Sequence, residues 1–517
     1  MTIKNNYQHM NYRILFVYVS FILCIAGKVS AQQSANIAID KGSVSSVLHN
    51  VSESELKEWL SFFVSEECRG RLTGDIGYKR AADYAAGLFK EWGLEPIGDN
   101  GTYFQAFDHP YVEVKHGGSF KLHIPVGKDW VEKTYDYPDN YMAGGTSDEG
   151  ELSKLDLVYV GYGITAPELG YDDYKGIDVK GKIVVCEINI PYTGQEAALQ
   201  KAWMPYQYHT FKMTNAVAHG AAGMLYVSVT ANPNPGWNKG FIYACISENV
   251  VKDIFAGTGK DHAETIAYMQ KNLKPQSFYI DKKADIKAVT EFHPNGVGYN
   301  VIGMIKGSNP TLEAEVIMAG GHLDHVGMMP VLMPGALDNG SGSVIIMAAA
   351  KALATSGFKP ERSCIFILYG GEETGLLGSQ FFVNNPKVPL KNIRVLFNID
   401  MLGTGYGLSA SAAQKFGSTL NYVENANNEY VKREFRTRLD ANEIVTRPRT
   451  DGAVFFQAGV PVISLSAFGA TERTPYHHPG DVIELIKFDI VRDAVKLLST
   501  SIMDLSTKKD LTISPKE

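Results

Sequence analysis

Helical and extended periodicities divide the chain into three stretches. Between residues 52 and 95 apolar positions recur at three- and four-residue intervals. "SESELKEWLSFFV" opens on a Ser-x-x-Glu capping box and "YKRAADYAAGLFKEWG" stops at Gly93, so two helices are predicted. From about 118 to 190 the runs shorten and are bounded by Gly, Asp or Pro; "GSFKLHIPV", "LDLVYVGYGI" and "KGKIVVCEI" read as strands. From 298 onward unbroken apolar runs ("YNVIGMI", "AEVIMAGGHLD", "ERSCIFILYG", "IRVLFNIDM", "VPVISLSAF") alternate with helical segments such as "GSVIIMAAAKALATSG". Fully apolar strands separated by helices describe a sheet covered on both faces, a three-layer α/β/α sandwich with a mixed, mostly parallel central sheet. Ligands of such folds bind beyond the carboxyl ends of the strands.

Those ends carry the chemistry. His322, Asp324 and His325 follow "EVIMAGG", and Asp338 stands in the turn "MPGALDNGSGS" before a helix. Glu372 and Glu373 follow "SCIFILYGG", Asp400 follows "IRVLFNI", and the loop after the last strand holds "PYHHPGD" with His477, His478 and Asp481. "HLDH" alone suits a capped loop as well as a ligand, and "DNGSG" alone suits a helix N-cap. Five such elements at one sheet edge are another matter, because clustered carboxylates repel unless a cation sits among them. Two histidines and three or four carboxylates, with no cysteine nearby, suit a pair of zinc ions held by nitrogen and oxygen.

Length and composition narrow the setting. At 517 residues the chain exceeds the size one core usually serves, so two domains are expected. Residues 1–31 have the layout of a signal peptide: Lys4 and Arg13, the apolar run "ILFVYVSFILCIAG", then Val29, Ser30 and Ala31 as a cleavage site. The run falls short of the ~20 residues a spanning helix needs, so no stable membrane insertion is expected after cleavage. An extracytoplasmic location, periplasmic or secreted, follows. Removing this segment takes the formal charge from −7 to −10, which argues against nucleic-acid binding. Cys68, Cys186, Cys245 and Cys364 show no CxxC spacing and are expected to be buried thiols. Quaternary state leaves no mark in the sequence.

The motifs "GGHLDHVG", "GALDNGSGS", "GGEETGLLGS", "NIDMLG" and "PYHHPGD" resemble metallopeptidase family 28 (M28) of clan MH, the dizinc aminopeptidases and their glutamate-carboxypeptidase relatives. The resemblance implies two zinc ions per chain, one held by His322, Asp338 and Asp400, the other by Asp338, Glu373 and His477, with Asp338 bridging. It implies Glu372 as general base, Asp324 as an acid orienting the ligands, and Tyr476 as a hydrogen-bond donor to the oxyanion of the intermediate. Position after Tyr476 favours His477 over His478, and His325 is expected behind the ligands or in the loop. The implied activity is an exopeptidase acting on peptides or proteins, an aminopeptidase foremost. Alternatives are a carboxypeptidase served by Arg447, Arg449 and Arg473, a glutaminyl cyclase, and a non-catalytic receptor-like binder. One departure stands out: "RTDGAVFFQAGVPV" keeps Asp451 but has Gly452 where the family often has histidine.

"LVYVGYGI", "YDDYKGIDVKGKIVVC" and "AVAHGAAGMLYV" resemble an inserted β-rich protease-associated (PA) domain, a lid or substrate-recruiting surface in which His219 packs. The expected organisation is a signal peptide at 1–31, the N-terminal part of the peptidase domain at 32–130, the PA domain at 131–285, the catalytic part at 286–507 and a polar, fraying tail at 508–517.

Overall fold

The computed structural model describes residues 41–516 except 229–232, 234–236, 445–447 and 472–473. The signal-peptide assignment and residues Arg447 and Arg473 lie outside the described residues.

Two large sheets organise the chain. The first has nine strands. At its centre Ser363–Tyr369, Val316–His322, Ile393–Ile399 and Val462–Phe468 run parallel, in that spatial order. Antiparallel neighbours flank this core: Val297–Ile305 on one side and Gly407–Ala413 on the other. Val316–His322 and Ser363–Tyr369 are buried throughout and Ile393–Ile399 nearly so, which is why they read as unbroken apolar runs. Helices Glu53–Phe63, Ile76–Glu91, Ser341–Thr355 and Phe488–Thr507 pack one face around Trp59, Phe89, Ile345 and Leu498. Leu377–Asn384 and Asp451–Gln457 cover the other through Phe382 and Phe455. The expected three layers are present, and the capping box at Ser52 and Glu55 closes as its sequence predicts.

The second sheet has eight strands. Behind its edge strand Asp129–Thr134 lie Tyr111–Val126 and Phe278–His293, two long antiparallel strands that lead in from and back to the peptidase sheet. The backbone crosses between the domains where His109 N–H donates to Gly296 O at 2.8 Å. The sheet thus takes in residues 111–130, which the sequence expectation left with the peptidase domain. His219 packs as expected, stacking on Tyr174 with ring centroids 4.1 Å apart. Cys68, Cys186, Cys245 and Cys364 are buried thiols, as expected.

The tail does not fray. Leu511 is buried, Arg394 donates to its carbonyl at 2.7 Å, and Ser418 and Ser514 exchange hydrogen bonds of 2.8 and 2.9 Å. One apolar residue and a row of carbonyls facing guanidinium donors pin a segment whose composition alone looks loose. Among the described residues no helix is long and apolar enough to cross a membrane.

Candidate metal centre

Each parallel strand delivers its polar group to one edge. His322 closes Val316–His322, and Leu323 N–H still bonds Tyr369 O at 2.8 Å, so the two central strands leave the sheet together. Asp338 sits in the turn Ala336–Gly340, where Leu337 and Asp338 N–H donate to the two carboxylate oxygens of Asp481 at 2.9 and 3.0 Å. Asn339 donates to Ile399 O at 2.9 Å and accepts from Met401 N–H at 3.1 Å, fixing this turn against the strand end that carries Asp400. His477 has φ 50, a left-handed conformation a non-glycine residue adopts only when its surroundings dictate it.

The side chains converge as two overlapping sets. His322 Nε2 lies 3.4 Å from Asp338 Oδ1 and 3.3 Å from Asp400 Oδ1. His477 Nε2 lies 3.3 Å from Asp338 Oδ2 and 2.8 Å from Glu373 Oε2. The two oxygens of Asp338 therefore face different partners, as a bridging carboxylate must. The donor atoms of His322, Asp338 and Asp400 lie within 4.8 Å of one another, as do those of His325, Asp338, Glu373 and His477. His325, expected behind the ligands, is fully buried with Nδ1 2.9 Å from Glu373 Oε1. His478 points away, toward Asp139 at 3.9 Å.

Electrostatics show what the cluster lacks. Burial raises the Asp338 pKa, yet the neighbouring imidazoles of His322, His477 and His325 hold it well below the usual carboxylate range. Burial lowers the His477 pKa, but Glu373 and Asp338 push it up to about 10. Glu372 is raised well above its ordinary value by burial, then by Glu373, Asp400 and Asp451. Cationic imidazole and neutral carboxyl groups thus offset the negative charge that this many buried acids would otherwise carry. Asp338 Oδ2 remains a buried oxygen with no hydrogen-bond partner. Nitrogen and oxygen donors, like-charge crowding and an orphaned carboxylate oxygen together fit divalent zinc.

Glu372 and Glu373 divide between roles. Glu373 is buried against His325 and His477, while Glu372 is half-buried at the opening. Asp324 braces both: its oxygens accept from Glu372 N–H at 3.2 Å and Glu373 N–H at 3.3 Å. Burial raises Asp324 to about 7, against the pull of His322. Tyr476 is 46% exposed and stacks on His477 at 3.8 Å. Burial raises its phenol pKa, followed by the charges of Glu373, Asp338, Glu372 and Asp400, so its hydroxyl keeps its proton. Gly452 explains the missing histidine. A Cβ there would lie 2.9 Å from Asn398 Cβ and 3.0 Å from Val462 Cγ1, so a side chain enters only if these neighbours shift.

Asp481 and Asn339, which lie inside the motifs, and the segment around Arg71, which does not, support this geometry without being among the expected ligands. For Asp481 the "PGD" after the ligand histidine was the signal, since an acid there can reach back to backbone amides.

Residues 300–501 match the model for peptidase family M28, and residues 153–253 match the PA domain. Leupeptin-inactivating enzyme 1 of Streptomyces exfoliatus is 32% identical over 205 residues, 38% of this chain and 43% of that protein. Aminopeptidase YwaD of Bacillus subtilis is 27% identical over 367 residues, 67% of this chain and 68% of that protein. The chain thus spans less than half of the first relative. The aminopeptidase from Aneurinibacillus sp. strain AM-1 superposes with a TM-score of 0.63 at 19% identity, covering 92% of this chain and 98% of that one, a likeness of fold. Motif, fold and family model agree: residues 300–501 form a peptidase core of family M28, with a PA domain at 153–253 ahead of it.

Proposed function

We propose that the protein is an exported zinc aminopeptidase that removes N-terminal residues from peptides, with two zinc ions per chain. The observation that carries this is Asp338, whose two oxygens face separate donor sets while the half-buried Glu372 stands beside them. His322, Asp338 and Asp400 would hold one ion, and Asp338, Glu373 and His477 the other, with His325 orienting Glu373. Zinc bound there would acidify water and polarise the scissile carbonyl.

The protein's own groups do the rest. Glu372 accepts the proton of the attacking water and returns it to the leaving amine. Asp324 fixes the backbone of Glu372 and Glu373 through their amides. Tyr476 donates its O–H to the oxyanion of the tetrahedral intermediate. A cleft of about 640 Å³ between the PA domain (Asp139, Ile246, Glu248) and the loop holding Tyr476 and His478 gives the peptide room to continue.

Charge at the site favours the amino terminus of a substrate over its carboxyl terminus. Carboxylates crowd the opening, and a substrate carboxylate would need a cation to meet it. Arg438 and Arg449 line a separate cavity of about 510 Å³, but Asp440 and Glu443 line it as well and offset them. The names of relatives, an aminopeptidase and a leupeptin-inactivating enzyme, agree with peptide substrates.

The test is hydrolysis of matched peptides with free and acetylated N-termini, with and without chelator. Cleavage only of the free peptides, abolished by chelator and restored by zinc, is expected. Cleavage of acetylated peptides from the carboxyl end would favour a carboxypeptidase, and no cleavage of either would favour a binding protein.

A further inference from the structure

The turn that precedes helix Ile76–Glu91 belongs to none of the ligand motifs, yet it touches three of the loops that form the metal centre. Arg69, Gly70 and Arg71 have φ of 47, 68 and 54, three consecutive residues in the left-handed region. Two of them are not glycine, so tertiary contacts must hold them there. Those contacts are with the site: Gly327 N–H donates to Gly70 O at 2.9 Å and His325 N–H to Arg71 O at 3.1 Å. A Cβ on Gly70 would lie 2.4 Å from Gly327 O, so only glycine allows this approach.

The Arg71 side chain is fully buried and bonds to backbone carbonyls of three separate segments. Its Nε donates to Leu323 O at 2.8 Å, one terminal nitrogen to Phe63 O and Pro334 O at 2.7 Å each, and the other to Gly335 O at 2.8 Å. Leu323 lies between His322 and Asp324; Pro334 and Gly335 open the turn that carries Asp338. Two residues on, Thr73 Oγ1 accepts from Gly371 N–H at 2.8 Å, directly before Glu372. A lysine could not reproduce this planar fork.

We infer that Arg71 is a positioning residue for the metal centre, setting the distance between the His322 loop and the Asp338 turn, with Thr73 tying in the Glu372 loop. This rests on the zinc reading of the site. A buried guanidinium is costly to desolvate, and three of the four carbonyls it bonds, Leu323, Pro334 and Gly335, lie in two ligand loops. Arg362 supplies the contrast. It is equally buried and bonds Glu315 at 2.7 Å and the carbonyls of Leu505, Lys508 and Lys509, none of which adjoins the site.

The experiment compares Arg71→Met, Arg71→Lys and Arg362→Met with wild type. Zinc affinity is measured by competition with a chromophoric chelator, alongside kcat, KM and thermal unfolding. Arg71→Met should lose about 10- to 100-fold in zinc affinity and about 100-fold in kcat, with KM nearly unchanged. Arg71→Lys should recover only part of both. Arg362→Met should melt earlier while keeping wild-type zinc affinity and kcat. Wild-type zinc affinity in a folded Arg71→Met overturns the inference, as does equal loss of zinc in Arg362→Met. Should Arg71→Met not fold, wild-type behaviour of Arg71→Lys overturns it. A wild-type protein that binds no zinc refutes the zinc reading instead, so the two failures are distinguishable.

Discussion

Replacing Glu372 by glutamine keeps the shape of the side chain and removes the one carboxylate assigned to proton transfer. Its backbone amide still bonds Asp324 at 3.2 Å, and neither ligand set built on Asp338 includes its side chain, so zinc content should stay near wild type. Burial, with Glu373, Asp400 and Asp451 nearby, already favours a neutral side chain in the metal-free protein, so the neutral amide should leave the melting temperature of that form almost unmoved. Loss of a positioned general base costs about 10²- to 10⁴-fold in rate, or roughly 3 to 5 kcal/mol in the barrier. The assay is steady-state hydrolysis of a dipeptide amide, with metal content measured on the same sample. A fall in kcat of that size at nearly constant KM and constant zinc is expected. Wild-type kcat would refute the role of Glu372, and parallel loss of zinc would recast it as a ligand.

Asp324→Asn leaves a single oxygen for two amides, so one of Glu372 and Glu373 loses its brace; zinc affinity should fall about 10-fold, measured by chelator competition. His325→Ala removes the group 2.9 Å from Glu373 Oε1. Zinc affinity of that site should drop about 10- to 100-fold while two ions still bind at saturation, and loss of one ion at saturation would make His325 a ligand. His109 is buried against Thr374 at 2.8 Å, and burial lowers its pKa to about 4, below the ordinary value of 6.5. Between those values the unfolded chain binds the extra proton, so stability falls as pH drops, by about 2 kcal/mol from pH 6.5 to 4.5. Urea unfolding of His109→Gln across that range should show a shallower acid loss than wild type, and identical slopes would refute the assignment.

The sheet edge was legible because two local signals coincide there: buried parallel strands are apolar without alternation, and the first polar residue after each run marks its carboxyl end. His322, Glu373 and Asp400 could each be placed that way. The supporting contacts were not, since they join residues far apart in sequence. Nothing local marks Arg71 as bonding Leu323 and Gly335, and its left-handed backbone follows from contacts some 250 residues away along the chain. The start of the inserted sheet escaped for a different reason. Tyr111–Val126 of the inserted sheet opens with the same alternation as Phe104–Asp108 of the peptidase sheet just before it, so periodicity gives no boundary between the domains. Gly452 looked like a lost histidine, whereas Asn398 and Val462 pack so closely there that a side chain would displace them.

Elemental analysis of the purified, dialysed protein in zinc-containing buffer, with Asp338→Ala beside it, bears most directly on the account. About two zinc ions per wild-type chain are predicted, with both depleted in the variant because Asp338 faces both donor sets. One ion or none in the wild type, or the loss of only one in the variant, would contradict a pair of ions bridged by Asp338.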